Sequence, residues 1–177
     1  LVGSAWTDHA TDRFSRLATG QCDAAEPLLA SLLALPLVGP EAHYLLAISS
    51  ILSGRAAEAV DRALRAVEGQ PGDARYHFTL GRAYKAAANL EAAEAAYRQA
   101  LELQPGYVDA MVSLGIVLKT RGDVDGAIAL YDRALRRNPA FAPAHANRSA
   151  ALALRAELAA EAGADVDPDD PAIEAQA

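Results

Sequence analysis

What the chain lacks sets its first limits. Its 177 residues hold one cysteine, one tryptophan and one methionine, and aromatics make up only 6% of them. The lone Cys22 cannot close an internal disulfide, so no oxidised framework holds the fold together. Val and Ile are sparse, which leaves a β-sheet architecture poorly supplied. No apolar run reaches the ~18 residues that would suggest a membrane span. The most apolar stretch, Leu28 to Val38, is short and broken by Pro36. No basic-then-apolar signal segment opens the chain. It starts with Leu1 and not Met, as expected of a processed or excised chain whose targeting segment could have been removed; the composition leans towards the cytoplasm. Basic residues are in deficit as well: 16 Lys and Arg stand against 23 Asp and Glu, for a net charge of −7. A phosphate-neutralising nucleic-acid binder needs the opposite balance, so nucleic acid is excluded as a partner.

What is abundant is alanine. There are 43 alanines and 23 leucines, so helix is favoured throughout. A core built on alanine is thin, and it packs helices closely over many small contacts. The charge is unevenly placed. Asp165, Asp167, Asp169, Asp170 and Glu174 crowd the tail, whereas residues 74–141 carry a surplus of two positive charges. Residues 164–177, ADVDPDDPAIEAQA, read as an acidic, disordered tail.

The chain repeats itself. Residues 6–39, 40–73, 74–107 and 108–141 align without gaps at a 34-residue period, and a half-unit begins at 142. One column reads Leu46-Ala47, Leu80-Gly81, Leu114-Gly115, and others read Gly20, Gly54, Ala88, Gly122 and Ala25, Ala59, Ala93, Ala127. Further columns are Leu32, Ala66, Ala100, Ala134 and Pro71, Pro105, Pro139; Tyr97 and Tyr131 also share one. The small residues let the two helices of a unit approach closely. The Gly column supplies the left-handed residue that closes a first helix. The Pro column stops the second helix and extends the link to the next unit. Between the stops, apolar residues recur at helical spacing, as in Leu80, Ala83, Tyr84 and Ala87. Each unit is therefore helix, tight turn, helix, and it must stack on its neighbours to bury its apolar face.

This pattern resembles the tetratricopeptide repeat. The run L-G-R-A-Y at 80–84, with Ala93, Tyr97, Ala100 and Pro105, fits nearly every signature position, and 108–141 fits almost as well. Residues 40–73 match with Ser50 and Ala63 in place of larger residues, and 6–39 match only in the second helix, where Asp12-Arg13 takes the Leu-Gly position. The resemblance implies an all-α fold, a right-handed α-solenoid of helix-turn-helix repeats forming an α-α superhelix over residues 1–163. From Pro143 the helical pattern runs unbroken to Gly163, so 142–163 reads as a capping helix with Arg148, Arg155, Glu157 and Glu161 on a polar outer face, or as a fifth repeat cut short.

Catalytic motifs are missing. The sequence has no Gly-rich phosphate loop, no paired-cysteine or H-E-x-x-H metal motif and no nucleophile elbow. The expectation is no enzyme, no cofactor and no metal. His9, His43, His77 and His145 share the fourth position of their units, with Met111 completing the column. Stacked helices stand roughly 8–10 Å apart, and zinc–nitrogen bonds are near ~2 Å, so two of these rings cannot share an ion. They read as half-buried packing rings, and Cys22 as a packing residue. Asn147-Arg148-Ser149 matches a glycosylation acceptor, but it sits inside a helical stretch.

In the family that the sequence resembles, the first helices of successive units line a concave groove. On those helices one row reads Ala10, Tyr44, Phe78, Val112, Ala146, in which Tyr44 and Phe78 would form an apolar platform. A second set is Arg75, Arg82, Lys85 and Lys119; Arg75 is flanked by Glu41 and Asp109, and the other three have no evident partner. These cations favour an acidic segment or a C-terminal carboxylate. The family's carboxylate-clamp positions hold Ala10, Phe14 and Leu45 here, and its asparagine-ladder column reads Leu45, Thr79, Ser113, Asn147, where only Asn147 fits. The reading is a non-catalytic scaffold that captures a protein or peptide at Tyr44, Phe78, Arg82, Lys85, Val112, Lys119 and Asn147, without nucleic acid or membrane. The alternative is the repeat arm of a larger enzyme, such as a glycosyltransferase, sulfotransferase or oxygenase. A third expectation is homo-oligomerisation through the end faces.

Overall fold

The computed structural model describes residues 39–164, so the expectations for repeat 6–39, His9, Cys22 and the acidic tail fall outside the described residues. Among the described residues seven helices follow one another: α1 Pro40–Leu52, α2 Ala56–Gly69, α3 Ala74–Ala86, α4 Leu90–Leu103, α5 Val108–Thr120, α6 Val124–Arg137 and α7 Ala142–Ala164. Among the described residues there is no strand. The fold is an all-α helical repeat, and α1, α3 and α5 start 34 residues apart, as do α2, α4 and α6.

The repeat columns explain where these helices stop. Asp73, Asn89 and Asp123 each cap a helix, their side chains accepting from the backbone N–H of Arg75 at 2.9 Å, Ala92 at 3.1 Å and Gly126 at 2.8 Å. At the far end of α1 and α5 the chain turns through Gly54 (φ 72°) and Gly122 (φ 95°), both left-handed. The third member of that column, Ala88, takes the same turn at φ 59° although it carries a Cβ. Such a conformation costs an L-residue about 1–2 kcal/mol. Pro71, Pro105 and Pro139 each follow the last residue of a second helix by two positions.

Contacts between residues divide the chain into two compact units, 1–110 and 111–177. In the first, α1 packs on α2, α3 on α4, α2 on α3, and α1 lies beside α3. Its core is assembled from Ala47, Ala59, Ala63, Leu80, Ala83 and Ala96, flanked by Ile51, Val60, Val67 and Tyr84. The alanine columns are the close contacts of the fold: Ala59, Ala93, Ala66 and Ala100 have no exposed surface.

The glycines of the Leu-Gly column have a packing reason. A Cβ on Gly81 would stand 2.6 Å from the ring of Tyr97. The first helix gives up its side chain where the second brings a tyrosine, while one repeat earlier Ala47 matches the smaller Ala63. In the second unit Gly115 does the same for Tyr131, with 2.5 Å to the ring.

The second unit also contains α7 packed on α6. The 23-residue helix is unbroken. On it Arg148 and the exposed Arg155 pair with carboxylates of α6, Asp132 at 2.5 Å and Asp125 at 3.3 Å.

Candidate ligand-binding face

In the first unit, α1 and α3 lie side by side and bring the row of Tyr44 and Phe78 together with the basic residues of α3. Tyr44 stacks on Tyr76, ring centroids 5.2 Å apart, and the Arg75 guanidinium lies 5.5 Å from both ring centres. The Tyr76 hydroxyl donates to Glu41 at 2.6 Å. Arg75 pairs with Asp73 at 2.6 Å and with Glu41 at 3.3 Å. Its charge is therefore spent internally, and the Arg75 hydrogen bond holds the Asp73 carboxyl below its ordinary range. Burial, followed by the Glu41 hydrogen bond, pushes the Tyr76 hydroxyl up.

Tyr44 is only 9% exposed. The expected platform of two open rings is therefore not what the side chains make: Tyr44 is covered, and Phe78 is the half-buried ring of the pair. Phe78 rests against Tyr97 at 5.8 Å and Tyr107 at 4.9 Å, with the Arg82 guanidinium 5.9 Å from its centre. Sequence reading missed Tyr107. It precedes the first turn of α5, outside any helical periodicity, and its column reads Asp73, Tyr107, Phe141. Burial pushes its hydroxyl up to about 12, helped by neighbouring Tyr44 and Asp109 and opposed by Arg82 and Arg75.

Arg82 is half-buried and Lys85 exposed. Among the described residues neither makes an ion pair. Lys85 stands in the last turn of α3, where a cation also complements the helix dipole.

The remaining candidates belong to the second unit. Val112 is 5% exposed and offers a ligand almost no surface. Lys119 is half-buried in the last turn of α5 and has no ion pair among the described residues. Asn147 donates from its side-chain amide to the Pro143 carbonyl at 2.8 Å, so this donor is already engaged within α7.

The histidine column has a local structural use. His77 and His145 each donate from Nε2 to the carbonyl of the proline six residues earlier, Pro71 at 2.8 Å and Pro139 at 2.7 Å. A carbonyl only accepts, which fixes the proton on Nε2. The bond clips the start of a first helix to the link before it. Among the described residues no three potential ligands converge on a metal site, and no helix is long and apolar enough to cross a membrane.

A model of the tetratricopeptide repeat family matches residues 15–74, 78–143 and 117–171. No curated protein matches the sequence significantly. Solved structures do. The crystal structure of MamA is 23% identical, covering 80% of this chain and 83% of its own, with a TM-score of 0.71. YrrB, described as a TPR protein with an unusual peptide-binding site, is 20% identical over 77% of this chain and 71% of its own, with a TM-score of 0.68. The first TPR of Spaghetti (RPAP3), bound to the HSP90 peptide SRMEEVD, is 18% identical over 66% of this chain and 93% of its own, with a TM-score of 0.64. At these identities the likeness bears on the fold.

Proposed function

Starting from a chain that belongs to the tetratricopeptide repeat family, we propose that it is a binding scaffold which holds an acidic protein or peptide segment against its first helices. The observation that carries this reading is the pairing of a half-buried apolar ring, Phe78, with two cations, Arg82 and Lys85, that have no ion-pair partner among the described residues. Apolar contact anchors a segment, and unspent charge selects its sign. Peptides bind to two structurally similar proteins, and the one in the Spaghetti complex contains three acidic residues. The reading assigns no catalytic step and no cofactor to the chain, and it places the chain in the cytoplasm.

The roles are divided. Phe78 and the covered Tyr44 provide the apolar floor, and Arg82 and Lys85 orient the acidic group; Lys119, in the second unit, holds the column position of Lys85 one repeat on. Val112 and Asn147 keep a packing role. An array of acidic heptapeptides, each paired with its Asn/Gln counterpart, tests the proposal. Wild type should prefer the acidic members. The double variant Arg82→Glu, Lys85→Glu should lose about tenfold or more in affinity, and added salt should weaken wild-type binding. Equal binding of acidic and neutral members by wild type would remove the charge-selective face.

A further inference from the structure

Two arginines of the second unit are left over. Arg148 and Arg155 of α7 pair with Asp132 and Asp125 of α6. The exposed Arg136 and Arg137, in the last turn of α6, have no ion pair among the described residues. The carboxylates that could match them are grouped elsewhere: Asp165, Asp167, Asp169 and Asp170 follow α7 with no cation among them. This acidic run cannot reach the arginines of its own chain. The two ion pairs fix α6 and α7 as antiparallel, which puts Arg136 and Arg137 level with the start of α7. Ala164 ends that helix about 30 Å further on, at the helical rise of ~1.5 Å per residue. The stretch from Ala164 to Asp170 spans at most about 21 Å, even fully extended.

A second copy can supply what the chain's own run cannot. On the side of α7 that meets α6, Ala144 and Ala151 are buried. Half a turn round the helix, Ala146, Ala150, Ala153, Ala156 and Ala160 are all exposed. We propose that two copies associate through this side, with their α7 helices antiparallel about Ala153 and the acidic run of each reaching Arg136 and Arg137 of the other. In this register Ala146 meets Ala160 and Ala150 meets Ala156, small against small, so the helices can approach closely. Glu157 then faces Ser149, and Glu161 faces the exposed His145. A parallel pair would set Glu157 against Glu157 and one acidic run beside the other, where like charges repel. The antiparallel pair brings the end of one α7 level with the start of the other. Two helix layers of about 8–10 Å each then separate the run from the arginines, a distance that the extended run covers. By symmetry each dimer makes the charge contact twice.

The test is analytical ultracentrifugation of the full chain over a wide range of concentration, at low and high salt. A concentration-dependent dimer that salt weakens is expected. Ala153→Arg keeps a good helix former at an exposed position and sets two guanidinium groups on the symmetry axis; it should weaken association at least about tenfold, with the circular dichroism of wild type. Arg136→Glu with Arg137→Glu should also cost about tenfold, because each exposed pair is worth about twofold and the contact is made twice. Adding Asp169→Lys with Asp170→Lys should restore most of that loss. Oxidative cross-linking in a Cys22→Ser background reads the orientation: Ala146→Cys should join Ala160→Cys when the two are mixed, and neither should join itself. Arg82→Glu with Lys85→Glu should leave association intact, which separates this contact from the ligand face. A monomer over the whole range, a dimer indifferent to Ala153→Arg or to the arginine reversal, or Ala146→Cys joined to itself overturns the proposal.

Discussion

Replacing Gly81 by alanine tests the packing rule that joins the two helices of a repeat. The new Cβ would lie 2.6 Å from the Tyr97 ring, about 0.8 Å inside the 3.4 Å at which ordinary contact begins. The ring cannot retreat easily, because Tyr97 has no exposed surface and Phe78 rests against it. Overpacking of this kind costs about 1–3 kcal/mol. Removing a glycine from a helix interior returns up to about 1 kcal/mol, so the net loss should be about 1–2 kcal/mol. In a Tyr97→Ala background the obstruction is gone, and Gly81→Ala recreates the Ala47–Ala63 pairing of the preceding repeat. There the same substitution should stabilise by about 1 kcal/mol, giving a coupling near 2–3 kcal/mol. Urea denaturation of wild type, both single variants and the double variant measures this cycle. Since Tyr97→Ala alone should cost about 3–5 kcal/mol, Tyr97→Leu serves if too little folded protein remains. An effect of Gly81→Ala that agrees in the two backgrounds within about 0.5 kcal/mol would refute the rule.

Two further outcomes follow from single residues. Ala88→Gly should stabilise the protein by about 0.5–1 kcal/mol, because the left-handed turn penalises a Cβ by more than glycine adds in unfolded-state entropy; a lower urea midpoint would show that the turn is not strained. His43 is held below its ordinary 6.5 by burial, then by the charges of Arg65 and Arg62, with Asp61 opposing, and its Nδ1 has no hydrogen-bond partner among the described residues. The unfolded chain therefore takes up this proton first, so stability is highest above about 6.5 and falls as pH drops below it. His43→Phe should flatten that fall, which denaturation at neutral and mildly acidic pH would show; an unchanged slope would clear His43 of the effect.

The repeat was legible because its columns are simple physical stops and contacts. Gly54, Gly122 and the prolines mark where helices end, and Ala59 and Ala93 mark where they touch, so the helix pairs could be read from the alignment. Side-chain partners were less visible. Glu41 lies in the right column to pair with Arg75, and it does, yet nothing in the spacing shows that Arg75 also covers Tyr44. Tyr107 sits in a link, where periodicity carries no information; an aromatic recurring at 107 and 141 was the available signal. Ala88 departs from its glycine column, and the turn forms regardless, because tertiary packing of the two helices outweighs one strained residue. The reach of Arg148 and Arg155 depends on how α7 is rotated about its axis, which an alanine-rich helix with weak amphipathicity does not disclose.

Whether ligands meet the first helices at Phe78 and Arg82 is decided most directly by mapping backbone amide shifts while the best acidic heptapeptide from the array is titrated into the full chain. The largest changes are expected on α3 and at the start of α5, at Phe78, Arg82, Lys85 and Tyr107. Changes confined to the second helices, at residues such as Leu64, Arg65 and Arg98, would contradict the proposed binding face.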